Sequence, residues 1–453
     1  MNTSAKPNVI LYLVDDQDRT DYGCFGNPYV HTPAVDRLSR EGTRFDRFYT
    51  AQAICAPSRS MLFTGMFPLK NGAYMNHRPL RNGRMSLIPE LQKLGYKVIL
   101  AGKSHVGPDS AFPWTEHWPS EEVPLSDGGQ SARLPLDKIR AFLKTESGPY
   151  CLVLCSALPH PPYPEVPSGT QDTIPFYQGE DPENQTLIQK RTAYYENIRR
   201  DNLQIEAVLE AADQSQDPDN QLFLYLADHG NRQKFTLYEG GLNVPLVARW
   251  PGKIAAGTLS HELVSMVDLF PTLIDLAGGH LPAEVDGTPM TDLLLGRGPS
   301  PRNFTFGVGE HQNIFIPSVF PMRMVTDGKW KYIRNVNAYE RHESNLGEHE
   351  RINAFIREGA DTFRHLPFEE LYDLESDPFE QSNLANLPPY QKIQSRLSIQ
   401  LDHWMEEQND YLIEEGPLPL FRPSHMALDR PNPHYSPPAE LAHTLKDSDY
   451  RDP

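Results

Sequence analysis

The chain has 453 residues, with 42 Lys and Arg against 60 Asp and Glu and a formal net charge of −18. Hydrophobic residues make up 39% and lie in short stretches, a composition that suits a globular chain large enough for two domains and excludes a disordered one. The acidic balance repels a nucleic-acid backbone, and no stretch approaches the ~20 apolar residues of a membrane span, so neither nucleic acid nor membrane is an expected partner.

The opening "MNTSAKPNVILYLVDD" has no secretory pattern, because its apolar run is too short and ends in two acids. As given, it predicts a cytoplasmic protein, or a periplasmic or secreted one if a leader has been removed. Val9 to Val14 reads as a buried strand ending at Asp15–Asp16. "TPAVDRLSREGTRF" (32–45) reads as a helix, with Pro33 near its start and Gly42 at its end. "CAPSRSMLFTG" reads as a helix opening at Cys55 and closed by Gly65. "SLIPELQKLGYKVILAGKSHVG" gives helix, strand and loop, and "LPLDKIRAFLKTESGPYCLVLCSALPHPPY" repeats that order. "RRDNLQIEAVLEAADQ" is a further helix. "NQLFLYLADHG" and "NVPLVARWPG" are strands, and "SMVDLFPTLIDLAG" is a helix.

Alternating strands and helices predict an α/β fold with helices on both faces of a large, mixed, mostly parallel sheet. Past residue 301 the texture changes. "MRMVTDGKWKYIRN" reads as a hairpin turning at Asp327–Gly328, and a helix follows near 388–407. The expected organisation is a catalytic α/β domain over 1–300, an α+β subdomain with a small antiparallel sheet over 301–410, and a Pro-rich arm over 411–453. The arm's composition allows a disordered tail, or a segment closing over a neighbouring subunit in a homo-oligomer.

Cys151 and Cys155 share one strand and stand roughly 13 Å apart along it, too far for a disulfide or a shared metal. They are expected to be core packing, and the chain offers no disulfide framework.

In α/β sheets, ligands bind beyond the C-terminal ends of the strands. Asp15–Asp16, Lys103–His105, His160 and Asp228–His229 all fall just past predicted strand ends. The acids suit a hard divalent cation, which takes several oxygen ligands, although an isolated Asp-Asp also serves as an N-cap. Arg59, Lys103, His105, His160 and Lys234 together would hold a compact anion that the overall charge repels. Cys55 beside Arg59 could be a nucleophilic thiol, but its surroundings carry no thiol-protease pattern. His77, Arg78, His311 and Arg323 are candidate lining for a substrate pocket, against the plainer alternative of loop hydrogen bonding.

"CAPSRSMLFTG" resembles the sulfatase signature, Cys-x-Pro-x-Arg followed by an apolar turn and Thr-Gly; Cys55, Pro57, Ser58, Arg59, Leu62, Thr64 and Gly65 all match. "PNVILYLVDD", "TPAVDRL", "GKSHVG", "PHPPY", "ADHG", "KFTLYEGGLNVPLV" and "LYDLESDPFEQSNLA" extend the resemblance along most of the chain. It implies an alkaline phosphatase-like fold. It also implies that a formylglycine-generating enzyme converts Cys55 to formylglycine, an aldehyde hydrated at rest. Asp15, Asp16, Asp228, His229 and the modified Cys55 would hold one calcium ion, with His229 where many members have Asn. Arg59 and His105 would orient the hydrated aldehyde. Lys103, His160 and Lys234 would grip the sulfate, with His160 as proton donor.

One hydroxyl of the diol would attack sulfur, and the other would collapse to the aldehyde and expel sulfate. Only "NRQ" separates "DHG" from Lys234, a shorter loop than many sulfatases carry, so Arg232 is an alternative to Lys234. That loop and the C-terminal motif look closest to heparan N-sulfatase (sulfamidase)-like members. The expected substrate is a sulfated small molecule or glycan bearing a sugar O-sulfate or N-sulfate. Two rivals stand beside this: a phosphonate monoester or phosphodiester hydrolase of the same superfamily, and a non-catalytic glycan-binding pseudoenzyme with unmodified Cys55.

Overall fold

The computed structural model describes residues 6–124, 130–166, 181, 183–311, 319–338, 349–358, 365–413, 420–421 and 443–451. Its main sheet has eight strands: β1 (Asn8–Asp15), β2 (Thr43–Phe45), β3 (Lys97–Gly102), β4 (Glu116–Trp118), β5 (Tyr150–Pro159), β6 (Gln221–Ala227), β7 (Leu246–Arg249) and β8 (Thr258–Ser260). Their spatial order is β8-β2-β7-β6-β1-β5-β3-β4. Pairing is parallel from β6 through β1, β5 and β3 to β4, and antiparallel on both sides of β7. β1 lies near the middle and is buried along its whole length. That is why its sequence is a continuous apolar run rather than an alternating one.

The larger helices form two groups that pack among themselves on the sheet. One contains α1 (Pro33–Glu41), α4 (Leu136–Thr145) and the 29-residue α5 (Gln185–Asp213); the other contains α2 (Cys55–Thr64), α3 (Leu87–Lys93) and α6 (Leu269–Leu276). Pro33 occupies the first turn of α1, as its fixed φ favours. Gly65 caps α2 in the left-handed conformation that glycine adopts without a Cβ clash. No described helix is long and apolar enough to cross a membrane.

A second, four-stranded antiparallel sheet follows, in the order β9 (Thr305–His311), β10 (Val319–Thr326), β11 (Trp330–Asn335) and β12 (Glu369–Asp373). The hairpin at Asp327–Gly328 joins β10 to β11. Helix α7 (Gln391–Glu407) packs on β10 and β11. Most of the Pro-rich arm lies outside the described residues; within them, Leu420–Phe421 pairs in parallel with Tyr450–Arg451. All four cysteines are free, and Cys151 and Cys155 are buried in β5.

Strands that sequence reading passed over include β2, β4, β8 and β9. The first two have three residues each, too few for a periodicity to register.

One buried polar group ties a helix to the sheet. Asp201 on α5 accepts hydrogen bonds at Oδ1 from Tyr12 Oη (2.9 Å), Ser156 Oγ (2.6 Å) and Gln204 Nε2 (3.1 Å). Its Oδ2 has no hydrogen-bond partner. Burial pushes this carboxyl up to about 7 despite the three donors. A raised carboxyl stabilises the fold while protonated, so its contribution is complete below the unfolded value of about 4 and is lost as pH rises through about 7. The expected outcome for Asp201→Asn is a melting temperature that gains on the parent protein as pH rises across that window and levels off above it. Thermal unfolding of both proteins at a series of pH values checks this.

Candidate active site

The strand ends predicted from the sequence meet at one edge of the sheet. Asp15 is the last residue of β1, Lys103 follows β3, His160 follows β5 and Asp228 follows β6. The approach is tight. A Cβ on Gly102, whose φ is +94°, would lie 2.1 Å from the Cys155 carbonyl oxygen, so glycine is needed where β3 turns toward Lys103. A Cβ on Gly230 would lie 2.1 Å from the Gly240 carbonyl oxygen, which explains the glycine after Asp228–His229.

Cys55 opens helix α2 and is 2% exposed. Its Sγ lies 3.3 Å from His229 Nε2, 3.7 Å from Lys234 Nζ and 3.8 Å from Asp16 Oδ1. The helix N-terminus adds a favourable potential for negative charge at this sulfur position. Asn76 Oδ1 accepts the backbone N–H of Ala56, pinning the first turn. Ser58 Oγ donates to the Asp228 carbonyl oxygen and accepts from Thr50 Oγ1 at 2.8 Å, fixing α2 against the end of β6.

Around the sulfur stand three carboxylates and three permanent cations. Arg59 is fully buried; its Nε donates to Asp228 Oδ2 at 2.9 Å and its Nη2 lies 3.3 Å from Asp15 Oδ1. Lys103 Nζ donates to Asp15 Oδ2 at 2.6 Å. Lys234 Nζ donates to both oxygens of Asp16, at 2.8 and 3.0 Å. His229 Nε2 is 3.0 Å from Asp16 Oδ1, and His160 Nε2 is 3.9 Å from Asp16 Oδ2.

Burial alone would raise the Asp15 carboxyl, but Lys103 and Arg59 outweigh it and hold the group well below the usual carboxylate range. Asp16 is likewise held low, its burial outweighed chiefly by His229 and then Lys234. Lys234 is raised: burial opposes its charge, and the Cys55 sulfur and Asp16 outweigh that. Both acids are therefore ionised at neutral pH, and Lys234 carries its charge.

Two sets of ligand atoms converge closely enough to hold a metal ion, Asp16–Cys55–His229 and Asp15–Cys55–Asp228, and within each set the atoms lie no more than 4.8 Å apart. Cys55 belongs to both. Asp15 Oδ1 is buried with no hydrogen bond, although Arg59 lies near it, so one carboxylate oxygen is left for another partner. The donor set fits a divalent cation, with three carboxylates as hard ligands and one imidazole nitrogen.

Lys234, not Arg232, reaches the acids. Arg232 donates its backbone N–H to Asp18 Oδ1 at 3.1 Å, and its guanidinium lies 5.5 Å from the centre of the Phe379 ring. His105 and His77 form a pair, with His105 Nε2 3.1 Å from His77 Nδ1, and both have positive φ. His77 sits on the same loop as Asn76, so one loop braces both Cys55 and His105.

Two expectations are corrected. Arg323 does not reach a substrate: it is fully buried, donating to Asp410 through Nε and Nη2, to Glu310, and to the carbonyl oxygens of Gly309 and Met322. A guanidinium in the core is held only when its donors are paired, and Arg323 spends its donors there. Arg78 stands apart from the cluster, donating to the Gly72 carbonyl oxygen at 2.7 Å with its guanidinium 4.7 Å from the Tyr74 ring centre. His311 ends β9, and its side chain lies outside the described residues.

Sequence reading missed Asn76, Ser58's tie to Asp228, and Tyr194, whose hydroxyl donates to the Asp16 carbonyl oxygen at 3.2 Å and to Asp21 at 3.0 Å. These are ordinary residue types, and only the fold brings them to the site.

A family model described as Sulfatase matches residues 7–279, and one described as N-sulphoglucosamine sulphohydrolase, C-terminal, matches 227–350. A relative named Ulvan-active sulfatase, from Formosa agariphila, is 44% identical over 453 residues, covering 99% of this chain and 90% of its own. The solved structure of a 2-O GAG sulfatase superposes with a TM-score of 0.73 at 21% identity, covering 96% of this chain and 100% of its own. That of the phosphonate monoester hydrolase of Agrobacterium radiobacter gives 0.70 at 20% identity, covering 89% and 96%. At those identities the two structures establish the fold, an alkaline phosphatase-like one. The match across both the N-terminal and C-terminal models, with a relative at 44% identity over nearly the whole chain, shows that the chain belongs to the sulfatase family of sulfuric ester hydrolases.

Proposed function

We propose that the substrate is a sulfated sugar of a glycan, and that its sulfate is released at Cys55 after conversion to formylglycine. What supports this reading is the convergence of one cysteine, three carboxylates and three permanent cations on one sheet edge. The names of the relatives support the choice of a glycan, one being ulvan-active and the other a 2-O GAG sulfatase. The second family model leaves the N-sulfate within the proposal.

Formylglycine at 55 would supply a hydrated aldehyde, which can take and release sulfate without water attacking sulfur. Calcium, held by Asp15, Asp16, Asp228 and His229 with an oxygen at position 55, would supply fixed positive charge beside that group. The remaining roles fall to the chain's own side chains. Arg59 is locked between Asp15 and Asp228 and orients position 55. His105, braced by His77, is given the second orienting role. Lys103 and Lys234 bind sulfate oxygens and stabilise the charge that grows on them. His160 is partly exposed, and its Nε2 gives the proton to the departing oxygen or nitrogen.

Maturation calls for a formylglycine-generating enzyme as a transient partner, with Cys55, Pro57 and Arg59 as its recognition motif. The arm composition is compatible with a homo-oligomer.

The test is sulfate release from a panel of O-sulfated and N-sulfated mono- and disaccharides, with phenylphosphonate as the control. Faster turnover of phenylphosphonate than of every sulfate would replace this reading with the phosphonate one. Cys55→Ala is expected to abolish release, and the mass of the peptide spanning position 55 is expected to show thiol replaced by aldehyde. A peptide bearing only cysteine, in protein that still turns over, contradicts the role given to Cys55.

Lys234→Ala is expected to lower kcat by roughly 10²–10³-fold, the scale for losing one donor to a developing oxyanion; steady-state kinetics checks this. Calcium at roughly a hundredfold excess over its Kd is expected to raise unfolding stability by about 2.7 kcal/mol. A chelator should reverse the gain, and Asp16→Asn should not show it. Thermal shift with calcium, magnesium, manganese and zinc in parallel checks both the effect and the choice of metal.

A further inference from the structure

A cavity of about 270 Å³ opens beside Lys234, the lysine whose ammonium grips Asp16. On one side its wall is the segment after that lysine, including Phe235 and Tyr238. On the other it is the inner face of the C-terminal sheet, with Phe320 and Met322 on β10 and Ile333 on β11. Lys234 is the only charged residue among the described lining residues. Of its polar groups, Tyr238 Oη donates to Glu370 at 3.0 Å and Asn335 Nδ2 donates to the Pro367 carbonyl oxygen at 2.9 Å, while Asn335 Oδ1 is buried without a hydrogen-bond partner.

Phe235 adds a second, independent observation. Its φ is +69°, a conformation in which a bulky side chain is an outlier. Strain of this kind persists only where the surroundings enforce it, and it clusters at ligand-holding sites. The enforcing bond runs to the segment ahead of α2: Phe235 N–H donates to the Ala53 carbonyl oxygen at 3.1 Å, two residues before Cys55. The Lys234 ammonium lies 5.6 Å from the centre of the Phe235 ring. The ring therefore stands where the anion-binding site ends and the apolar cavity begins.

We infer that this cavity receives the carbon skeleton that carries the sulfate, a single neutral pyranose ring laying its C–H face on Phe235. This deepens, and rests on, the sugar-sulfate reading above. The volume falls just under the roughly 300–1,000 Å³ of typical ligand pockets, enough for one ring and too small for an extended oligosaccharide. The apolar wall recognises C–H surface, and among the described lining residues a second sulfate on the same ring would find no counter-charge beyond Lys234. A second cavity, of about 210 Å³, has Asp18 and Asp21 with Lys190, Arg191 and Arg232 in its lining, and it touches the site only through Tyr194, whose hydroxyl donates to the Asp16 carbonyl oxygen. It offers no comparable continuity with Lys234.

The experiment compares the parent enzyme with Phe235→Asn and Met322→Ala. Asn tolerates a positive φ, so the first variant removes the ring and keeps the turn; the second removes contact from the opposite wall. Three probes are used: 4-methylumbelliferyl sulfate, a methyl pyranoside monosulfate from the panel, and its disulfate. Phe235→Asn is expected to raise KM for the first two about tenfold, with kcat changed less than about twofold. Met322→Ala is expected to raise it by a smaller factor. The inhibition constant of inorganic sulfate is expected to stay constant, since the anion grip is untouched. In the parent enzyme the monosulfate should outrun the disulfate.

An unchanged KM in both variants overturns the inference, as does weaker sulfate inhibition in parallel with KM or a preference for the disulfate. Turnover of the aryl sulfate alone would instead defeat the sugar reading, and its KM in the variants would still report on the cavity.

Discussion

Three carboxylates brought together at the end of a buried sheet are the constraint on which the rest of this architecture depends. Asp15, Asp16 and Asp228 are each at most 2% exposed. Like charges so close and so dry are unfavourable unless opposite charge is delivered with them. The fold delivers it from three directions: Arg59 from α2, Lys103 from the end of β3, and Lys234 and His229 from beyond β6. Three permanent cations balance three carboxylates, and a divalent ion among them would leave the site with two positive charges. An acidic protein with a net charge of −18 thereby gains one place where an anion is welcome.

The C-terminal sheet takes part in this arrangement from a distance. Lys331 on β11 is fully buried, and its Nζ lies 2.7 Å from Glu239 and 2.8 Å from Glu380, while donating to the Leu237 carbonyl oxygen at 3.2 Å. Glu239 begins the short helix that follows the Lys234 segment, and its backbone N–H donates to Glu380 at 2.7 Å. The segment bearing Lys234 is thus clamped between α2 and the second sheet. Within the C-terminal part, Arg323 on β10 joins Glu310 to Asp410. A buried ion pair of this kind contributes little net stability, but breaking it by removing one partner is costly. The relative placement of the two sheets is therefore held by contacts that tolerate few substitutions.

How far the sequence could be read follows from the range of each signal. The clustered acids, Lys103, His105, His160 and Cys55 were legible as candidates because each lies within a few residues of a strand or helix end whose pattern is local. Lys234 stood among the candidate cations, but its segment has no regular structure to fix its place, and the resemblance left Arg232 as its alternative. Arg323 was misjudged because its partners are remote: Asp410 lies 87 positions further on, and nothing near Arg323 signals burial of a charge. Asp201 shows the same limit, since the hydroxyl of Tyr12 that donates to it is 189 positions away. The short edge strands escaped notice because their pairing, not their composition, defines them. The His77–His105 pair was half legible: both residues stood out as polar groups in loops, but their contact depends on two positive φ values that no local pattern announces.

The enclosure of Cys55 has a consequence for timing. The sulfur, Pro57 and Arg59 are all buried beneath the sheet edge and the first turn of α2, so no second protein can grasp that stretch once the chain has closed around it. The proposed conversion of Cys55 would therefore need an extended, newly made segment, before β6 has arrived to cover it. On that proposal a molecule that folds first would lock its thiol inside a finished scaffold, and the yield of converted protein would be set by a race between an oxidising partner and collapse of the core.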